Sequence, residues 1–328
     1  MHLAFLLTTL SLAADEAPKP TVKMGGVIFA HYGYDLTDGA NGYNSFDLDR
    51  VYLTARGELN EHWATRVTLD ADRFKSTDVA DTSITVDTKY RVFVKHAYLE
   101  WKEQKAGVKL RFGMAETAWA PYYDSFWGYR FLEKSAGDEN KFVDTSDLGI
   151  QAMGDHNKGL IQWQAGIING EGYGKVEVDA SKTFQARFTV DPLAANSDYD
   201  LPISAFVSQS FLGDGEPVTL YAGAAGFKMK YGLAWVEYMG RASGGVSGQI
   251  ITATLLPKVP DVVTLVARVD LVDPDTSAAD DSSTKIVVGA GHEFFEKVTG
   301  MATYERTTAE AAPDAPSHGV FLRMQAGF

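Results

Sequence analysis

The feature that most constrains this chain is a repeated alternation of apolar and polar residues with a period of two, the signature of a half-buried β-strand. In Arg50 to Leu59, Val51, Leu53, Ala55 and Leu59 fall on one face while Arg50, Tyr52, Thr54, Arg56 and Glu58 fall on the other. Trp63 to Asp70, Gly107 to Met114, Ile161 to Ile167, Phe184 to Val190 and Val320 to Phe328 repeat the pattern. About sixteen such segments run from near residue 22 to residue 328. Each alone is a weak signal, and their succession predicts an all-β chain.

Connections alternate in length. Asn60-Glu61, Gln104-Lys105, Asn157-Lys158 and Lys230-Tyr231 are tight, whereas 74–89, 115–145, 170–181, 273–283 and 308–318 are long and polar. Asp191 to Asp200 is long for a connection on the tight side. Ser243-Gly244-Gly245 supplies the positive φ angles of a hairpin tip. An even strand count, short turns at one end and long loops at the other describe a transmembrane antiparallel β-barrel. A soluble β-sandwich would give similar local alternation, with its apolar face turned inward. The barrel is favoured because charge recurs opposite the aliphatic face in strand after strand, as a wet lumen allows and lipid does not. Trp63, Trp101, Phe294 and Phe295 near strand ends suit interfacial girdles.

The net charge of −13 excludes the basic footprint of a nucleic-acid partner, and the absence of cysteine excludes disulfides and thiolate metal sites. Leu3 to Leu12 is a short apolar run followed by Ser11-Leu12-Ala13, so residues 1–14 are expected to be an export signal and 15–328 a single barrel domain. No segment has the length of apolar sequence needed for a membrane helix.

The stretch from Ala115 to Thr145 breaks the alternation. It holds eight aromatics, six acidic and three basic residues, too polar for a core and too aromatic for a tether. Following a fifth strand, it is the third connection on the long-loop side, expected to fold into the barrel mouth as a constriction. Tyr122, Tyr123, Phe126 and Trp127 are expected to pack it against the inner wall rather than to stack solute.

FDLDRVYLTARGELNEHWATRVTLD (Phe46 to Asp70), HAYLEW (His96 to Trp101), RFGMAETAWAPYYD (Arg111 to Asp124), VEY (Val236 to Tyr238) and LVARVDLVDPD (Leu265 to Asp275) resemble the phosphate-selective porin O and P family. A C-terminal aromatic such as Phe328, closing an alternating strand, looks like the signature read by the outer-membrane assembly machinery. The resemblance implies a sixteen-stranded general or anion-preferring porin of a Gram-negative outer membrane. It also implies a homotrimer in outer-membrane lipid, with the third extracellular loop folded inward and small polar or ionic solutes, such as phosphate, passing by diffusion.

Alternation places Arg50, Arg56, Arg66, Lys109, Arg111, Arg187, Arg268 and Arg323 on the lumen face, with Glu58, Asp70, Asp72, Glu100, Glu237, Asp270, Glu293 and Glu305 beside them. Such a wall is mixed rather than uniformly positive, which sets it apart from a dedicated phosphate filter. Glu116, Asp124, Arg130 and Glu133 of the loop complete the candidate pore-lining set. Arg50, Arg66, Arg111 and Arg323 are expected to face the loop acids across the constriction, the alternative being that each arginine is paired with a nearby carboxylate.

Asp270 to Asp281 is acidic but lacks the glycine and terminal Glu of an EF-hand loop, so it reads as a solvated loop rather than a Ca²⁺ site. His96 and His292 belong to different strands, and no HExxH, GxSxG or phosphate-binding glycine loop is present. The chain is therefore read as a channel that needs no cofactor and is not an enzyme. Two other classes remain open at this point: an outer-membrane hydrolase, and a structural or adhesive barrel with a plugged lumen.

Overall fold

The structure, a computed structural model, describes residues 20–77, 84–213 and 215–328, without the side chains of 73–77 and 84–88. The expected export signal lies outside the described residues. Sixteen long strands form one closed antiparallel sheet. They are β1 (Thr21–Asp35), β2 (Asn44–Glu58), β3 (Trp63–Thr77), β4 (Ile84–Glu103), β5 (Val108–Glu116), β6 (Ser146–His156), β7 (Ile161–Ile168) and β8 (Lys182–Val190). Then follow β9 (Ile203–Phe211), β10 (Thr219–Met229), β11 (Gly232–Ser243), β12 (Val246–Val259), β13 (Val263–Asp273), β14 (Ser283–Phe295), β15 (Val298–Ala309) and β16 (Ser317–Gly327).

Each strand pairs with its sequence neighbours, and β16 returns to β1 with Val27 opposite Gly327 and Asp35 opposite Gly319. The backbone groups of Gly26 and Phe328 bond to each other in both directions, extending this seam. Closure removes the sheet edge that lipid could not satisfy.

The alternation sorts the two faces as expected. Leu53, Val67, Phe112, Ile150, Ile167, Val207, Leu255, Leu271 and Leu322 lie exposed on the outside. Arg50, Asp70, Glu100, Glu237, Arg268, Glu305 and Arg323 lie on the inside, partly or wholly buried. Gly244 and Gly245, with φ of 58° and 82°, form the predicted tip between β11 and β12.

Two boundaries differ from expectation. The connection expected at 74–89 is mostly strand, because β3 continues to Thr77 and β4 begins at Ile84, with Lys75 opposite Val86. Paired backbone continues through this region. The long connection after Asp191 is an ordered turn: Asp191 Oδ1 accepts the backbone N–H of Leu193 and of Leu201, and Tyr199–Asp200 pairs with the end of β10.

The inner wall has two unlike halves. On β10 to β13, Leu220, Ala222, Leu233, Met239, Ile250 and Val266 make much of it apolar. On β2 to β5 and β14 to β16, ionisable side chains dominate.

Candidate functional site in the barrel lumen

Residues 117–145 carry two short helices, α1 (Ala120–Trp127) and α2 (Ala136–Glu139). Pro121 is set in the first turn of α1, where its missing N–H removes nothing, and Gly128 ends the helix at φ 74° with its N–H on Asp124 O. Ser135 caps α2 by accepting the N–H of Asp138. Trp119, Tyr123 and Trp127 recur every four residues, so the helix gathers them on one face, and all three are fully buried.

That face meets the apolar half of the wall. Trp119 stacks on Phe206 with centroids 5.4 Å apart, and Tyr123 and Phe126 approach Trp235 at 5.5 and 4.9 Å. Burying large side chains of this kind contributes roughly 1.5–3 kcal/mol each. Glu237 gives the contact a polar centre, since Trp119 Nε1 donates to its carboxylate at 2.9 Å and Trp235 Nε1 at 3.1 Å. Two charge-assisted donors compensate a carboxylate that burial would otherwise disfavour.

Side chains of β7 and β8 hold the start of the segment. Gln164 donates to Glu116 O, Gln185 accepts from the N–H of Ala118, and Arg187 donates to Ala118 O while lying 4.0 Å over the Tyr122 ring. Further along, Phe131 packs on Phe29 of β1, and Lys134 O accepts from Arg268 of β13. The segment thus touches the inward face of β8, β9, β11, β13 and β1.

The charged residues form separate groups. Glu116 binds both Arg66 and Arg111, the latter at 2.8 Å, and Arg111 also reaches Glu100 at 2.7 Å. Arg50 pairs with Asp70 at 2.9 Å and Asp72 at 3.0 Å. Glu133 lies 2.7 Å from Lys285 and 3.9 Å from Arg323, which also binds Glu305. Arg268 pairs with Asp270 at 2.8 Å. Asp124 is paired within the segment: Arg130 bridges it to Asp138, at 2.9 and 3.0 Å. Of the four arginines expected opposite the loop acids, Arg66 and Arg111 meet Glu116 and Arg323 lies near Glu133, whereas Arg50 pairs with the wall acids Asp70 and Asp72, so they form separate pairs rather than one cluster. Desolvated guanidinium groups take the nearest carboxylates, and the pairing alternative describes the lumen. Arg56 and Lys109 stand exposed near the tight-turn end, opposite Arg66 and Lys102 in register.

Within the segment, burial pushes the Asp124 carboxyl up to about 6 against the pull of Arg130. Burial and neighbouring Asp138 bring Asp144 to about 6 as well. Burial would raise Glu133 too, but Lys285 and Arg323 override it and hold that carboxyl below its usual range.

One lumenal cation escaped the alternation. A bulge between Thr68 and Leu69 skips Lys95, so Lys95 and His96 are both buried although adjacent. The Lys95 ammonium lies 5.2 Å from the Tyr52 ring, 4.7 Å from Tyr173 and 4.0 Å from Asp70. The only trace in the sequence is the change of phase between Val92, Val94 outside and Tyr98, Glu100 inside. Among the described residues, no group of three or more His, Asp or Glu side chains is arranged to hold a metal ion.

A closed sixteen-stranded ring with an apolar exterior and a charged interior defines an outer-membrane channel barrel. The profile of the phosphate-selective porin O and P family matches residues 22–205, more than half of the chain, and the chain belongs to that family. Its fold is shared with the outer-membrane protein OmpT of Vibrio cholerae (loop L8 deletion mutant), at TM-score 0.64 and 13% identity over 94% of this chain and 99% of that one. An anion-selective porin from Comamonas acidovorans matches at TM-score 0.63 and 12% identity, over 94% and 100%. The outer membrane channel DcaP of Acinetobacter baumannii matches at 0.62 and 12%, over 94% and 98%. No curated protein matches the sequence.

Proposed function

We propose that this porin conducts small hydrophilic solutes and ions through an off-centre passage narrowed by residues 117–145, acting as the third extracellular loop. The observation that carries this reading is the division of the inner wall. The aromatic face of α1 occupies the apolar half on β9 to β13, which leaves the passage to the half bearing Arg50, Arg66, Arg111, Lys285 and Arg323. These cations and the carboxylates beside them line the constriction, together with Arg187 and Arg268 where they grip the loop. Arg56 and Lys109 line its wider periplasmic end.

Because wall cations are neutralised by Glu116, Asp70, Glu133 and Glu305, the channel discriminates weakly by charge. Anions, phosphate included, pass among other small solutes rather than through a dedicated filter. A homotrimer in outer-membrane lipid fits an apolar exterior, and support comes from Vibrio cholerae OmpT, for which a trimer form is described. Planar-bilayer recording tests the reading: stable conductance steps with a small reversal potential in a KCl gradient are expected. A silent membrane would favour a plugged structural barrel instead.

A further inference from the structure

A cavity of about 310 Å³ opens in the lumen where the long loops emerge, between the inner faces of β1, β14, β15 and β16. Its wall is built around Phe321. That residue stands opposite Gly33 in the β1–β16 register, and a methyl group at Gly33 would lie 2.9 Å from the ring, one at Gly319 3.2 Å. Two glycines therefore let the ring settle along the wall. Arg323 covers the ring at 4.2 Å from its centroid, yet Phe321 lines the cavity and Arg323 does not. The aromatic ring stands between the vestibule and the Arg323 guanidinium, while Lys285 and Glu305 reach the lining beside it.

Lys285 and Glu305 beside the ring are already neutralised by ion pairs with Glu133 and Arg323, and the Asp35 carboxylate is held by a hydrogen bond from the backbone N–H of Thr37. Each keeps unused hydrogen-bonding capacity, since a carboxylate has about four lone-pair sites and an ammonium three donors. Thr307 and Ser45 add hydroxyls that both donate and accept. A site with an aromatic flank, many hydrogen-bond positions and mostly paired charges suits an uncharged ring that is apolar on its C–H face and hydroxylated at its rim. The volume, at the lower end for ligand pockets, suits one such molecule.

We propose that this vestibule binds a monosaccharide-sized cyclic polyol on the mouth side of Glu133; its place on a conduction path rests on the channel reading above. Saturation-transfer NMR on the detergent-solubilised protein, with glucose and its open-chain counterpart sorbitol as probes, tests binding independently of conduction. Transfer to the ring C–H protons of glucose, several-fold above that to sorbitol, is expected. Phe321→Ala should reduce it at least fivefold, and Thr307→Val, which keeps shape and fold, about two- to threefold. No transfer in the wild type, equal transfer in both variants, or displacement of glucose by inorganic phosphate would overturn the site. Bilayer recordings on the same preparation separate the two readings. Conductance steps without transfer remove the subsite alone, and transfer without steps removes the channel alone.

Discussion

The carboxylate of Glu133 lies 2.7 Å from the ammonium of Lys285, joining the tip of the inserted segment to β14 on the far side from its point of departure at β5. Beside the grips on Ala118 and Lys134, the segment has two main fastenings, this ion pair and the aromatic face of α1. Glu133→Gln removes the ionic part and leaves the aromatic seam, so the loop stays seated while its tip fluctuates. Single-channel recordings should show unchanged mean conductance within about a factor of two and increased open-state noise.

Trp235 carries the other fastening, with contacts to Tyr122, Tyr123 and Phe126 and an indole N–H on Glu237. Trp235→Ala should destabilise the packed segment by about 3–5 kcal/mol, as for large aromatics removed from cores. Trypsin cleavage after Arg130 or Lys134 in the detergent-solubilised barrel, resisted by the wild type, reads the loss.

Asp124 and Asp144 set a pH dependence whose sign is fixed. Each carboxyl is raised from 3.8 to about 6, so between those values the folded segment holds protons that the unfolded chain releases. Stability of the packed segment therefore falls as pH rises through this interval and is greatest below it. Trypsin resistance should decline from pH 4 to pH 7. Asp124→Asn should remove part of that decline and Asp124→Asn with Asp144→Asn most of it.

Glu116 is shared by Arg66 and Arg111. Glu116→Gln leaves both guanidinium groups with less compensation at the passage. The reversal potential in a KCl gradient should then move toward anions, with the permeability ratio changing roughly twofold. Arg66→Gln should move it toward cations.

These residues also mark how far the sequence could be read. Arg66 and Arg111 declare their face through strict alternation, and the break at Ala115 to Thr145 locates the inserted segment. Lys95 was hidden because a bulge reverses the phase of β4, and bulges are set by backbone pairing with β3 rather than by residue type. The apolar inner wall was hidden for a different reason. Trp235, Met239 and Ile250 alternate with outward apolar neighbours, so β11 and β12 read as apolar on both faces, and only the docked segment explains the inward set. Pairing as such is an alternative that the alternation allows, but which carboxylate each arginine takes was not readable, since Arg50 finds Asp70 and Asp72 on an adjacent strand by register.

Val27 and Gly327 face each other across the β1–β16 seam, although nearly the whole barrel sequence lies between them. The last ladder to form is therefore the one with the largest loop-closure entropy, and it rewards the chain only after the other strands are in order. Until then both margins of the growing sheet expose unpaired amides, as open to a neighbouring copy as to each other. Slow closure is the kinetic counterpart of a wall without an edge.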